Sequence, residues 1–237
     1  YFDTEKTLLN FESNYKDGIY HGLFLEYHKN GQLKRKRTNK DGVWDGLYES
    51  YYKNGQLKNK GIYKDGIKDG LHEEYFFDGD SERKVTYKDG NRVLYESYWG
   101  EGQLRKKETY NAETQDLFSE EYHKNGQLHK KETYKQNALH GPNEWYYENG
   151  QLKWKRTYKD GRFDGQYETY HENGQLKSKS TYNNGVKYGP YETYHENGQL
   201  DVKTTYKDDE YHGSFESYYE NGKLSRKETY KDGREVD

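Results

Sequence analysis

The sequence contains no cysteine and no methionine among its 237 residues. Without cysteine there is no disulfide framework, no thiolate metal site and no thiol nucleophile. No stretch approaches the roughly 18 consecutive apolar residues that a membrane-spanning helix needs. The amino end, Tyr1-Phe2-Asp3, has no signal-peptide pattern. These absences leave a secreted or cell-envelope location and a cytoplasmic location equally open.

Apolar residues are also scarce, at 29%, while 34% of the residues are charged. That balance alone would predict disorder, because such a chain buries too little apolar surface to offset its conformational entropy. The 29 tyrosines reverse this interpretation, since each combines a large ring with a polar tip and stabilises a surface that is only half dry. The net charge of −3 predicts no nucleic-acid partner, and an anionic membrane would need an excess of positive charge that the chain lacks.

Two series of glycines divide the chain into repeats. The first series lies in Asn-Gly-Gln-Leu or near copies, at steps of 24 residues with one step of 23, at Gly31, Gly55, Gly79, Gly102, Gly126, Gly150, Gly174, Gly198 and Gly222. The second series, mostly in Lys-Asp-Gly, follows 11 residues after the first, as at Gly42 and Gly66. Asn-Gly and Asp-Gly favour type I′ hairpin turns, because both central positions of that turn need positive φ. Each repeat is therefore predicted to contain two β-strands.

A two-residue turn at Asn54-Gly55 predicts which residues face each other across the hairpin. The predicted pairs are Tyr52 with Leu57, Tyr51 with Lys58, and Glu49 with Lys60. The Glu and Lys positions keep their residue types in the later repeats, with Leu25 the only exception in the first. Opposite charges that face each other across strands contribute roughly 0.2 to 1 kcal/mol per pair. We expect one face with a ladder of Glu, Lys and Tyr, and a second, more apolar face around Tyr48 and Tyr63.

The predicted fold is all-β, an elongated single-layer antiparallel meander of about nine 24-residue β-hairpin repeats. We expect one continuous repeat array over residues 1–237. Residues 1–18 form a degenerate N-terminal strand or cap, residues 19–89 and 119–237 are regular repeats, and residues 90–118 are irregular. A single residue is missing from the irregular segment, between Gly90 and Gly102, and Ala112-Glu113-Thr114 replaces the second glycine turn. The glycine found at Gly22, Gly46 and Gly70 has no counterpart at Val93 or Leu117.

The segment Gly-Leu-Tyr-Glu-Ser-Tyr-Tyr-Lys-Asn-Gly-Gln-Leu at residues 46–57, followed by Tyr63-Lys64-Asp65-Gly66, resembles the bacterial variant of the MORN repeat. The resemblance covers nearly the whole chain and implies an all-β, elongated meander. Similar chains are commonly labelled YwqK-type antitoxins, and other members of the family are membrane-proximal scaffolds. The resemblance therefore implies an interaction role without selecting one.

No pattern of residues predicts a catalytic site, a cofactor or a metal site. The ladder glutamates recur along the chain instead of meeting in one cleft, as acid–base chemistry would require. One position, three residues after the ladder glutamate, holds His28, His123, His171 and His195. Equivalent residues of neighbouring repeats are two strands, or about 10 Å, apart, which is too far for them to share a zinc ion. We interpret these histidines as structural substitutes for Tyr52 and Tyr219.

The leading hypothesis is a non-enzymatic scaffold that binds a protein partner through its aromatic face, in the manner of an antitoxin or immunity protein. The candidate partner-binding residues are Tyr48, Tyr52, Phe76, Tyr95, Trp99, Tyr147, Trp154 and Tyr167. Two alternatives stay open: a cell-surface or extracellular fibre that self-associates through edge strands, and a membrane-associated scaffold of the MORN type. An enzyme is the least favoured interpretation, because a single-layer sheet is expected to offer no pocket.

Overall fold

The computed structural model describes residues 10–236 of the chain. The described residues form 23 β-strands and one turn of 3-10 helix at Gly100–Gly102, with no α-helix. The prediction of an all-β chain of antiparallel hairpin repeats is confirmed. The chain forms two compact units, Tyr1–Ala112 and Glu113–Asp237. Their boundary falls in the turn where Ala112-Glu113-Thr114 replaces the second glycine of the repeat. The section of the predicted N-terminal cap before residue 10 lies outside the described residues.

The first unit is a meander in which every strand pairs antiparallel with the next. Its strands are β1 (Phe11–Lys16), β2 (Ile19–Tyr27), β3 (Leu33–Lys40), β4 (Val43–Tyr51), β5 (Leu57–Lys64), β6 (Ile67–Tyr75), β7 (Ser81–Lys88), β8 (Asn91–Tyr98) and β9 (Leu104–Asn111).

The second unit is built in the same way. Its strands are β10 (Asp116–Tyr122), β11 (Leu128–Lys135), β12 (Ala138–Leu139), β13 (Gly141–Tyr146), β14 (Leu152–Lys159), β15 (Arg162–Tyr170), β16 (Leu176–Asn183), β17 (Val186–Lys187), β18 (Gly189–Tyr194), β19 (Leu200–Lys207), β20 (Glu210–Tyr211), β21 (Gly213–Tyr218), β22 (Leu224–Lys231) and β23 (Arg234–Val236). The two-residue strands β12, β17 and β20 are the first segments of strands that a single residue interrupts, at His140, Tyr188 and His212.

The two kinds of glycine turn differ in geometry, and the prediction of a type I′ turn at Asn-Gly is wrong. Asp65 and Gly66 both have positive φ, 49° and 81°, as a type I′ turn requires. In the Asn-Gly turn only the glycine does, with Gly55 at 87°. There the Gly55 N–H donates to the Tyr52 carbonyl at 2.9 Å, and the Tyr52 N–H donates to the Gln56 carbonyl at 2.9 Å. The loop between these partners therefore has three residues and ends in a glycine bulge.

The three-residue loop shifts the register next to the turn by one residue. Tyr51 faces Leu57 instead of Lys58, so the predicted pairs of Tyr52 with Leu57 and of Tyr51 with Lys58 are wrong. The Asn54 side chain favours this turn, because its Oδ1 accepts the Gln56 N–H at 3.1 Å. This side-chain to backbone hydrogen bond within the loop stabilises the turn.

Beyond the shift, the predicted ladder of opposite charges is confirmed. Glu49 faces Lys60 on one side, and Lys36 faces Glu49 on the other. The other predicted pairs are also present: Glu73 with Lys84, Glu96 with Lys107, Glu120 with Lys131, Glu144 with Lys155, Glu168 with Lys179, Glu192 with Lys203 and Glu216 with Lys227. A one-residue slip would turn the charged side chains of one strand to the other face of the sheet and separate these pairs. The alternating charges on neighbouring strands therefore favour the observed register over such a slip.

The sheet has a single layer, and no large apolar side chain among the described residues is fully buried. The most buried side chains are instead small and polar, among them Asn39, Asn143 and Thr204 at 2 to 4% exposure. They lie on the aromatic face, the face that carries Tyr48 and Tyr63, where Asn39 faces Trp44 and Asn143 faces Arg156. Lateral packing of rings in one plane therefore takes the place of a core between two layers.

Candidate interaction surface

The aromatic face of the first unit is a row of rings in mutual contact. Trp44 stacks on Tyr48 with centroids 5.3 Å apart, and both meet the edge of Tyr63, at 4.9 and 5.9 Å. The row continues through His72, whose ring lies 5.3 Å from Tyr63. Edge-to-face pairs of this kind contribute about 0.5 to 1.5 kcal/mol beyond their buried area. Tyr48, a predicted binding residue, is therefore also a packing residue of the sheet.

A trough of about 440 Å³ crosses this aromatic face between Tyr48 and Tyr95, two of the predicted binding residues. Its floor is low because Gly61 has no side chain and the His72 ring lies directly on it: a Cβ at Gly61 would meet the His72 Nδ1 at 2.1 Å. The His72 Nε2 lies 2.8 Å from the Ile62 carbonyl, which holds the ring down. The expectation that the sheet offers no pocket is thus wrong, because it did not consider that a glycine lets the neighbouring ring lie close to the backbone of the sheet.

Tyr52 and Tyr147 belong to a different row, in which rings join successive repeats. The Tyr52 hydroxyl donates to the Tyr75 carbonyl at 2.9 Å, and the Tyr147 hydroxyl donates to the Tyr170 carbonyl at 3.0 Å. Histidine makes the same contact in other repeats, through an Nε2 that lies 3.0 to 3.3 Å from the equivalent carbonyl, at His28, His123, His171 and His195. The interpretation of these histidines as structural substitutes for tyrosine therefore has a physical basis in a shared contact.

Phe76 and Trp99 occupy that same position in the two repeats that lack Tyr or His there. A phenyl ring cannot donate a hydrogen bond, so Phe76 cannot join its neighbour in this way. The Trp99 ring lies beneath the Arg105 guanidinium, 4.7 Å from its centroid. The one turn of 3-10 helix follows Trp99 directly.

Trp154 and Tyr167 lie in the second unit and share one cation. The Arg156 guanidinium is 4.2 Å from the Trp154 ring centroid and 4.6 Å from that of Tyr167. Trp154 also stacks on Trp145, 5.3 Å away. The structure therefore distributes the eight candidate residues over both units and over several rows of the face, and it does not gather them in one cluster. Their role in partner binding stays a prediction.

The opposite face carries tyrosines whose hydroxyls are held by the ladder glutamates. The Tyr170 hydroxyl donates to the Glu168 Oε2 at 2.8 Å. Burial, followed by this hydrogen bond and the charge of Glu168, raises the pKa of Tyr170 to about 12. Burial likewise comes first among the causes that raise the pKa to about 12 at Tyr51, Tyr75, Tyr98, Tyr146 and Tyr194.

Exposed aliphatic side chains in the first unit form a surface that the sequence interpretation missed. Six of them are 39 to 54% exposed and lie near the Asp-Gly turns: Ile19, Leu23, Val43, Ile62, Ile67 and Leu71. We call them the aliphatic set. A signal was present in the sequence. The residue after the turn is Ile19, Val43 and Ile67 at three of the four Asp-Gly turns of the second glycine series in the first unit, and Asn91 at the fourth, whereas the second unit has Arg162 and Arg234 among these residues.

No group of three or more His, Asp or Glu side chains in the described portion of the chain is placed to hold a metal ion. Within residues 10–236, no helix is long and apolar enough to cross a membrane.

Fold and surface together define a tandem β-hairpin repeat protein with a single-layer sheet. The family model described as MORN repeat variant matches the chain at residues 20–41, 44–65, 119–136, 139–160, 163–184, 187–208 and 211–232. These matches cover more than half of the chain, which therefore belongs to this family of non-catalytic repeats. Residues 66–118 lie between two matches and contribute most of the trough. A search of curated proteins found no match.

Proposed function

We propose that this chain is a non-enzymatic repeat scaffold that binds a protein partner, with the first unit as the main contact. The observation that carries the proposal is the exposure of large apolar side chains. Exposed apolar side chains that cluster are typical of interaction sites, whereas scattered ones are ordinary. Nine of the fourteen that the described residues expose lie in the first unit, and six of these form the aliphatic set.

The repeat architecture supports the same proposal. Each repeat contacts its neighbours only, so stability is a sum of local terms and single positions vary without loss of the fold. The ladder glutamates face lysines in repeat after repeat, an arrangement suited to sheet stability more than to acid–base chemistry. A specific version, taken from the family resemblance, is an antitoxin-like protein that occludes its partner.

Purification of the tagged full-length protein from its native source tests the proposal. We expect a second protein in stoichiometric amount, measured by intact mass spectrometry and light scattering. Ile67→Arg should lower its recovery at least fivefold, because it places a charge in the aliphatic set. Arg162 occupies the equivalent position in the second unit, so the fold tolerates arginine there. Val186→Arg, the matched change in the second unit, should leave recovery unchanged. A clean monomer at every salt concentration would contradict the proposal.

A further inference from the structure

The trough in the first unit differs from the equivalent surface of the second unit. In the second unit the central row of the aromatic face runs Tyr167, Ser180, Tyr191. The Tyr191 ring stands against Tyr206 at 5.5 Å and fills the row. In the first unit the equivalents are Tyr48, Gly61 and His72, and the His72 ring lies over the glycine. A smaller imidazole ring thus stands where the second unit has the Tyr191 ring, and no side chain stands where it has Ser180, which leaves the trough open.

The walls of the trough combine aromatic surface with positive charge. Tyr63 and Tyr87 flank the His72 ring edge to face, at 5.3 and 5.1 Å. The Lys68 ammonium lies 5.0 Å from the Tyr87 ring centroid and 3.5 Å from its hydroxyl. Among the described residues, Lys68 forms no ion pair with a carboxylate, and its neighbours here are rings. A cation at an aromatic wall without an anionic partner suits a ligand that brings a carboxylate.

The other cations that line the trough already have carboxylates beside or opposite them. Arg83 forms an ion pair with Glu74, and an Arg92 nitrogen lies 3.2 Å from Glu108. Lys60 belongs to the charge ladder, so its side chain lies on the opposite face, where a glutamate faces it on each neighbouring strand. One unpaired cation between carboxylates does not match the dense charge of a nucleic-acid backbone, which needs several. It matches a segment that carries one carboxylate next to apolar groups.

The size of the trough fits such a segment. Its lining runs from Trp44 on β4 to Arg92 on β8, which is four strand spacings or about 19 Å. An extended peptide rises about 3.3 Å per residue, so about six residues span this distance. The volume of about 440 Å³ lies within the range of about 300 to 1,000 Å³ that is usual for ligand clefts.

We propose that the trough binds an extended segment of a partner protein, about six residues long, with an Asp or Glu side chain that pairs with Lys68 and an apolar side chain that packs over His72. The inference rests on the proposed function, because it names the chemistry of the partner segment. The residues concerned lie largely in the stretch of the chain that the family model does not match, and in the second unit the larger side chains of Ser180 and Tyr191 stand at positions equivalent to Gly61 and His72.

Selection of peptides from a phage-displayed random 12-residue library on the immobilised full-length protein tests this inference. We expect the selected peptides to contain an acidic residue beside an apolar one. Calorimetric titration should show that Lys68→Gln weakens their binding at least tenfold. His72→Tyr should do the same, because tyrosine stands at this position in other repeats and would fill the trough. Lys187→Gln is the matched control, since Lys187 lies at the equivalent position of the second unit, 4.4 Å from the Tyr206 ring centroid, and should change the affinity less than twofold.

Selected peptides without acidic residues would overturn the inference, as would acidic peptides that bind Lys68→Gln as tightly as the parent chain. A failure to select any peptide, or Lys68-dependent binding of a single-stranded oligonucleotide in its place, would overturn it too. If His72→Tyr does not fold, Lys68→Gln alone decides, because this half-exposed side chain supports no ion pair of the sheet. A native partner that co-purifies equally well with Lys68→Gln would refute the trough as its site and leave the scaffold function standing.

Discussion

Replacing Tyr147 with phenylalanine removes a single hydroxyl from the row of rings that joins successive repeats. That hydroxyl donates to the Tyr170 carbonyl, one repeat further along, at 3.0 Å. The loss of one neutral hydrogen bond costs about 0.5 to 1.5 kcal/mol. The ring itself stays, so no cavity term is added, and we expect the free energy of unfolding to fall by about 1 kcal/mol. Tyr147→His should cost less than half of that, because His123 and His171 make the same contact in neighbouring repeats.

Urea denaturation followed by tryptophan fluorescence measures the global cost, and amide hydrogen exchange shows where it falls. In a repeat array each repeat is coupled mainly to its neighbours, so faster exchange should be confined to β13, β14 and β15. Phe76→Tyr is the reciprocal change, since it adds a hydroxyl where the natural residue has none, and it should slow exchange in β6 to β8. If Tyr147→Phe matched the parent chain, or if Tyr147→His were as costly as Tyr147→Phe, the row would not join the repeats as we argue.

Three further predictions concern other regions of the sheet. The six tyrosines with pKa raised to about 12 keep their protons in the folded state above pH 10. In the unfolded chain they lose their protons near pH 10. Their contribution to the free energy of unfolding is therefore complete below about pH 10 and is lost as the pH rises towards 12. Unfolding free energies measured alongside tyrosinate absorbance should fall steeply in that range, less so for Tyr170→Phe, and a flat profile would contradict this. Gly165→Ala should lower the free energy of unfolding, measured by urea denaturation, by about 1 to 3 kcal/mol, because φ is 110° and the new Cβ would lie 3.3 Å from the Thr157 Cβ. The control Gly100→Ala has open space around it and no positive φ, so it should cost less than about 0.5 kcal/mol. Arg156→Met keeps most of the aliphatic contact but loses the cation above Trp154 and Tyr167, and should cost about 0.5 to 2 kcal/mol by the same assay, with equal stability arguing against a cation–π contribution.

The sequence was sufficient for the repeat, the strand order and the charge ladder, because these depend on periodic features that every repeat shows. Glu49 and Lys60 recur at fixed distances from both turns of the repeat. The predicted pairing was therefore correct even though the geometry predicted for the Asn-Gly turn was wrong. The geometry of the Asn-Gly turn was not predictable in this way. The dipeptide fits a two-residue or a three-residue loop, and contacts between repeats contribute to the choice: the Asn30 amide donates to the Lys53 carbonyl of the next turn at 2.8 Å.

The trough was beyond sequence reasoning for a related reason. Its depth depends on the His72 ring lying on Gly61, eleven residues earlier in the chain and on the neighbouring strand. Each residue occurs only once at its repeat position in this chain, so the periodic pattern does not report the pair. The candidate residues included Tyr48 and Tyr95 at its two ends because large aromatic residues stand out, whereas the small residue that opens the space between them does not.

The missing residue between Gly90 and Gly102 shows how the array tolerates an individual site. In β4 a bulge at Gly46 places three residues opposite one, since Arg37 pairs with Tyr48 and Asn39 with Trp44.

In β8 the same bulge is shorter by one residue. Thr86 pairs with Leu94 and Tyr87 with Arg92, which leaves only Val93 as the extra residue. A smaller bulge does not need the positive φ that Gly46 supplies, so valine replaces glycine there. The deletion is absorbed before the strand reaches Glu96, which still faces Lys84 and Lys107. Tyr95 therefore stays on the aromatic face, where it closes one end of the trough, and the break in the period changes the local surface without a change in the register of the sheet.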